Sequence, residues 1–120
     1  MNPRKSGKDS KMSLKQLAIR YFTKKGYEVE EQKTRMEGYS GLSRDFDLIV
    51  ERRGFRQPVW IKDWDRTIGV NIVIDLDKAS ADVGLQNPIV IGGKFSDHAK
   101  SYANRKKITL LTERRISGIL

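Results

Sequence analysis

The sequence predicts an α/β domain in which a mixed central sheet of about five strands is flanked by helices. Three observations predict it: a helical pattern opens the domain, three strand-like segments follow, and strands then alternate with helices. Strands that follow one another closely favour antiparallel pairing, whereas the strand–helix–strand unit of residues 88–112 favours a parallel crossover. We therefore expect an antiparallel meander that continues into parallel strands, with helices on both faces.

The first half of the domain contains one predicted helix and one predicted strand. Ser13 has a side chain suited to an N-cap, apolar residues recur at helical spacing over residues 14–22, and Gly26 is a good stop. Residues 27–36 begin with alternating polarity and predict a strand. Residues 37–43 contain two glycines and predict a loop.

The second half alternates between strands and helices. Residues 46–52 and 59–64 predict two strands joined by a hairpin connection. Residues 70–83 combine β-branched side chains with apolar residues at helical spacing, and Gly84 as a stop favours the helix. The remaining predictions are a buried strand at residues 88–92, a helix after Ser96, a last core strand at 108–112 and a short helix at 113–120.

Length and composition indicate one small domain, residues 13–120, preceded by a flexible basic tail, residues 1–12. The chain has no cysteine, which excludes disulfides and thiolate metal sites. No apolar run approaches the ~20 residues of a membrane span, and the N-terminal residues lack a secretory pattern. We expect a cytoplasmic protein without a membrane partner, associated with the nucleoid if it binds DNA.

The charge of the chain is strongly positive. Lys and Arg number 24 against 15 Asp and Glu, a formal net charge of +9. Such an excess suits a polyanionic partner, and nucleic acid is the usual one. A basic, charge-rich surface with no such partner is the alternative.

A carboxylate and a lysine occupy a pattern known from metal-dependent nucleases. Asp47 opens one apolar strand and Lys62 closes the next. In such enzymes the carboxylate binds a divalent ion, and the lysine steadies the attacking water or the scissile phosphate. A second acid is needed two positions before the lysine, on the same strand face. Trp60 stands at that position.

Four segments of the chain carry a family resemblance. They are Gly26-Tyr27-Glu28-Val29, Phe46-Asp47-Leu48-Ile49-Val50, Val59-Trp60-Ile61-Lys62-Asp63-Trp64 and Lys94-Phe95-Ser96-Asp97-His98-Ala99-Lys100-Ser101-Tyr102-Ala103. In this order they resemble the restriction-endonuclease-like, or PD-(D/E)xK, fold. The resemblance is greatest to Mrr-type type IV restriction enzyme domains and archaeal Holliday junction resolvases, and it implies Asp47 as metal ligand and Lys62 as catalytic lysine. It also implies an early helix glutamate, which residues 14–17 lack.

A single carboxylate holds Mg²⁺ poorly, and an indole fills space that a hydrated ion would use. We therefore expect a protein that binds nucleic acid, DNA rather than RNA. Its metal site should be degenerate, and we expect neither catalysis nor a cofactor. One alternative is an active Mg²⁺-dependent endonuclease whose missing acid is Asp45 or Glu30. Another is a scaffold that pairs with itself or with an active relative.

The same expectations assign roles to individual side chains. Asp47 is predicted either to remain a weak metal ligand or to pair with Lys62, and Trp60 to pack in the core under the first helix. Trp64 and Phe55 are predicted to form the interface of a homodimer or of a complex with a protein partner. The predicted nucleic-acid-binding residues are Arg44, Arg53, Arg66, Lys94 and Lys100.

Overall fold

The computed structural model describes residues 12–120, so the predicted tail lies outside the described residues except for Met12. No helix within the described residues is long and apolar enough to cross a membrane. The helices are α1 (Leu14–Lys24), α2 (Val70–Asp82), α3 (Asp97–Lys106) and α4 (Glu113–Ile119). The strands are β1 (Glu28–Glu30), β2 (Arg35–Glu37), β3 (Ser43–Asp45), β4 (Leu48–Arg52), β5 (Phe55–Lys62), β6 (Ile89–Gly92) and β7 (Thr109–Thr112).

The central sheet has five strands in the order β1-β4-β5-β6-β7. Strands β1, β4 and β5 pair antiparallel, and β5, β6 and β7 pair parallel. The mixed sheet, the meander and the parallel crossover predicted from the sequence are thus confirmed. Carboxyl ends of β5, β6 and β7 and the start of β4 meet at one edge of this sheet, which we call the Lys62 edge.

Side-chain alternation along the strands gives the sheet two apolar faces. Leu48 and Val50 contribute to a core layer that also contains side chains of α1 and α4. Ile49 and Val90 contribute to the layer that contains side chains of α2 and α3. Helices therefore cover both faces, as predicted.

The ambiguous segment forms helix α2, as its apolar spacing predicted. Val73, Leu76 and Ala79 are buried, because they recur on the stripe that faces the sheet. The β-branched residues at its start are accommodated by this burial, which outweighs their intrinsic preference for strands.

The strand predicted over residues 27–36 is wrong in its second half. The Glu30 carboxylate accepts hydrogen bonds from the backbone N–H groups of Gln32 (3.0 Å) and Lys33 (3.3 Å), which turns the chain after β1. The same donors lower the pKa of Glu30. Residues Arg35–Glu37 then pair with Ser43–Asp45 in a separate two-stranded hairpin, so the predicted loop is shorter as well.

Two further boundaries differ from the prediction. Strand β5 begins at Phe55 because Arg53 and Gly54, both with positive φ, close the β4–β5 hairpin in two residues. It ends at Lys62, two residues earlier than predicted.

The β2–β3 loop is fixed to the end of α2 by one carboxylate. Asp82 accepts hydrogen bonds from the Ser40 hydroxyl (2.6 Å), the Ser40 N–H (2.9 Å) and Arg44 Nε (2.8 Å). These donors lower the pKa of Asp82 to about 2. Gly38 packs so closely that a Cβ there would lie 1.9 Å from Asp82 Oδ2, so a side chain would disrupt the contact.

We predict that Asp82→Asn lowers stability at neutral pH, because the carboxylate that receives three hydrogen bonds is lost. The native pKa of about 2 lies below the ordinary 3.8. The carboxylate's contribution is therefore complete above about pH 4 and disappears as the pH falls through 2. Urea unfolding should show a deficit at pH 7 that narrows between pH 4 and 2. Asp75→Asn, an equal charge change at an exposed site of α2, is the control. An equal deficit in both variants would contradict this account.

Candidate functional site

The two strands that carry Asp47 and Lys62 lie side by side. Leu48 of β4 stands opposite Val59 of β5, and the Asp47 N–H donates to the Val59 carbonyl at 2.9 Å. Asp47 therefore lies beside the last residues of β5, at the Lys62 edge. The structure thus brings together the carboxylate-bearing and lysine-bearing strand ends that the sequence predicted.

The Asp47 carboxylate is engaged with the backbone of β5. Its Oδ2 accepts a hydrogen bond from the Ile61 N–H at 2.6 Å, and the residue is half-buried. The side chain thereby continues the ladder of backbone hydrogen bonds beyond the first residue of β4. It satisfies an N–H group that would otherwise be unpaired.

Lys62 lies between two indoles. Its Nζ is 4.6 Å from the ring centroid of Trp60 and 5.4 Å from that of Trp64. The Arg66 guanidinium lies 4.1 Å from the Trp64 ring centroid. These four residues form what we call the Trp–cation row, in which each cation lies near the electron-rich face of an indole.

Trp60 is held by its polar atom as well as by packing. Its indole N–H donates to the Asp45 carbonyl at 2.9 Å, and its half-buried ring packs against the core layer beside α2 and α3. Part of the ring therefore packs in the core as predicted, but the predicted place under the first helix is wrong, because α1 covers the other face of the sheet. The indole stands at the position where the sequence pattern of nucleases has its second acid.

The two alternative acids have other partners. The Asp45 carboxylate binds the Arg35 guanidinium at 2.8 and 3.2 Å, which lowers the pKa of Asp45. Glu30 binds the turn after β1. Among residues 12–120, no three His, Asp or Glu side chains are grouped so that they could hold a metal ion.

The predicted pairing of Asp47 with Lys62 is wrong for this structure. The ion pairs between described residues are Arg35–Asp45 and Arg44–Asp82. The reason is geometric: the Asp47 carboxylate turns to the Ile61 N–H, and the Lys62 ammonium turns to the indole faces.

The predicted basic residues divide into three groups. Arg66, Lys94 and Lys100 are exposed and lie on segments at the Lys62 edge, where Ile68 pairs with the backbone of Lys94 and Ser96 at 2.8 and 3.0 Å. Arg44 is bound to Asp82. Arg53 lies at the tip of the β4–β5 hairpin, at the opposite end of the sheet. Their assignment to nucleic-acid binding stays a prediction.

The two predicted interface residues are also far apart. Phe55 is 75% exposed at the hairpin end, whereas Trp64 is half-buried between Lys62 and Arg66. Ile116, in the C-terminal tail, is fully buried against the core layer that contains α1. Association through Phe55 or Trp64 stays a prediction.

The fold and the paired strand ends define a protein of the restriction-endonuclease-like class. The chain belongs to the restriction endonuclease family Mrr_cat, whose model matches residues 9–120. This confirms the resemblance seen in the sequence.

The sequence did not indicate that Arg66 joins Lys62 in the Trp–cation row. Arg66 lies beyond β5, where the alternation of strand side chains no longer applies.

Among solved structures, the chain is similar to the crystal structure of protein of unknown function AF1548, with a TM-score of 0.73 and 21% identity. The match covers 82% of this chain and 57% of that chain. At this identity the similarity shows the fold alone. Comparison with characterised protein sequences gave no significant match.

We predict that Asp47→Ala destabilises the fold by about 1–3 kcal/mol, because the Ile61 N–H loses its acceptor in a partly buried position. Urea unfolding measures the effect. Asp63→Ala, which removes an exposed carboxylate next to Lys62, should change stability little. A variant at Asp47 as stable as the wild type would show that the carboxylate has no such structural role.

Proposed function

We propose that this protein binds nucleic acid, DNA in particular, at the Lys62 edge and does not cleave it. The observation that carries the proposal is the Trp60 indole. It occupies the place of the second metal-binding acid and holds the lysine that a nuclease would use in catalysis.

The side chains at the edge do not fit Mg²⁺. This ion is usually held by one or two carboxylates, substrate oxygens and several waters in octahedral geometry. Asp47 is not paired with an arginine among the described residues, but one of its oxygens already accepts the Ile61 N–H. Trp60 adds an indole face and no oxygen. We therefore assign no step of catalysis to a metal here.

The same side chains suit phosphate. Lys62 and Arg66 form no ion pair with a carboxylate among the described residues, so both cations remain available. The indole faces limit their conformational freedom, which reduces the entropy lost on binding. Arg66, Lys94 and Lys100 extend the positive charge along the edge. The net charge of +9 and the nuclease family both favour a polyanionic ligand.

Active cleavage is the competing function, and one observation favours it. Asp47 and Lys62 lie on adjacent strands at one edge, as the active members of this class require. Cleavage would need a second acid from outside the positions that the structure brings near Lys62.

We predict that the protein binds duplex DNA in EDTA and that Lys62→Met weakens binding. Loss of one phosphate contact should make the slope of log affinity against log salt less negative by about 0.9. Fluorescence anisotropy at several salt concentrations measures this slope. Lys15→Met is the control, because Lys15 is an exposed cation on α1, on the opposite face of the sheet. Equal loss in both variants would show that net charge alone governs binding.

We also predict no cleavage of duplex, single-stranded or junction DNA with Mg²⁺ or Mn²⁺. Labelled substrates on denaturing gels provide the readout. Cleavage that disappears in Asp47→Ala, a variant whose folding is checked by circular dichroism, would overturn the proposal and establish the competing function.

A further inference from the structure

A second basic surface lies at the end of the sheet opposite to Lys62. It is a groove of about 750 Å³ between the β4–β5 hairpin tip, the end of α3 and the starts of β6 and β7. Phe55 and Lys62 are separated by the length of β5, about 23 Å at ~3.3 Å per residue. The groove is therefore separate from the Lys62 edge.

Cations line the groove, and one of them, Arg56, stands opposite Glu51 in the β4–β5 pair on the neighbouring surface. Arg53, Arg56 and Lys107 line it, and no Asp or Glu of the described residues does so. Arg52 also lines it but is engaged elsewhere, since it donates to the Lys25 carbonyl at 2.9 Å and stacks on a tyrosine ring. Phe55, which is 75% exposed, adds an aromatic face to this positive surface.

Two of these cations have a backbone conformation that other residue types adopt at lower cost. Arg53 has φ 55° in the two-residue turn of a β-hairpin, and Lys107 has φ 59° at the C-terminal end of α3. Glycine and asparagine adopt this left-handed conformation at the lowest cost, and they are the usual residues in such turns and helix ends. The chain carries a long cation at both positions instead.

A third residue with a left-handed backbone conformation links the β5 side of the groove to the end of α3. Asn87, with φ 54°, accepts a hydrogen bond from Gln57 Nε2 at 2.7 Å and donates to the Lys107 carbonyl at 3.2 Å. All the non-glycine residues with positive φ in the described part of the chain therefore line this groove. Strained backbone of this kind clusters at binding sites.

We propose that this groove is a second nucleic-acid site and that its ligand is a single strand. Arg53, Arg56 and Lys107 bind successive phosphates, and an unpaired base stacks on Phe55. A duplex does not offer this contact, because its bases are stacked inside the helix. Aromatic stacking combined with a cationic track is the usual means of binding single strands without sequence preference.

The experiment measures the melting temperature as well as binding, because relief of the backbone strain should change it. Arg53→Asn and Lys107→Asn should each raise the melting temperature, because asparagine tolerates the left-handed conformation better. Each should nevertheless weaken binding of a labelled oligothymidylate measured by anisotropy. Phe55→Ala should weaken it roughly 5- to 150-fold if one base stacks there. Arg56→Gln, in regular strand geometry, should weaken binding without a rise in melting temperature.

Two comparisons separate this site from the Lys62 edge. Lys62→Met should retain single-strand affinity, and the groove variants should retain duplex affinity. Lys15→Met is the control for net charge. Stabilised Arg53→Asn and Lys107→Asn variants that bind the single strand as the wild type does would overturn the proposal. So would a Phe55→Ala variant that binds normally but no longer forms a dimer in sedimentation, since Phe55 would then serve an interface between copies of the chain.

Discussion

The packing of the Trp60 indole is the constraint on which the Lys62 edge depends. Its N–H is fixed by the Asp45 carbonyl at 2.9 Å, and its face lies 4.6 Å from the Lys62 ammonium. A carboxylate at the same position would attract Lys62 and a metal ion by charge. The indole offers a weaker, non-ionic attraction that leaves the positive charge of the lysine available. On our proposal, this one side chain changes which ligand the edge suits, from a divalent cation to an anion.

The neighbouring residues are consistent with this change. The Asp47 carboxylate contributes to the β4–β5 ladder through the Ile61 N–H, and Asp45 is paired with Arg35. Lys62 and Arg66 form no ion pair with a carboxylate among the described residues, and the groove at the other end has no acid of the described residues in its lining. The two proposed sites lie at opposite ends of the sheet, so together they would allow one molecule to contact two segments of nucleic acid. A single strand that emerges beside a duplex is such a ligand.

Much of the fold could be predicted from the sequence because local patterns agree with it. The spacing of Val73, Leu76 and Ala79 indicated α2 correctly, although the β-branched residues before them favour a strand. Ser13 and Gly26 marked both ends of α1. The β2–β3 hairpin was missed for two reasons. The Glu30 carboxylate turns the chain by accepting hydrogen bonds from the backbone that follows it, which the alternation of polarity does not reveal. Asp82 binds Ser40, which lies 42 positions away in the sequence.

The candidate site was predictable in part. Strand alternation placed Trp60 on the same face as Lys62, and the family pattern gave the position of Asp47. Neither indicated that the Asp47 carboxylate faces the Ile61 N–H, since this depends on where β4 stops. The groove combines residues from four separate segments of the chain. Its one sequence signal was an arginine before Gly54 in a hairpin turn, where asparagine is more usual.

The central claim is that the Lys62 edge takes an anion in place of a divalent ion. The most direct measurement is the electron paramagnetic resonance signal of free Mn²⁺ on titration with the protein and duplex DNA, compared with the duplex alone. The account predicts that the protein removes no additional Mn²⁺ from solution. Stoichiometric loss of the free signal that is abolished by Asp47→Ala, in a variant that still folds and binds DNA, would contradict it.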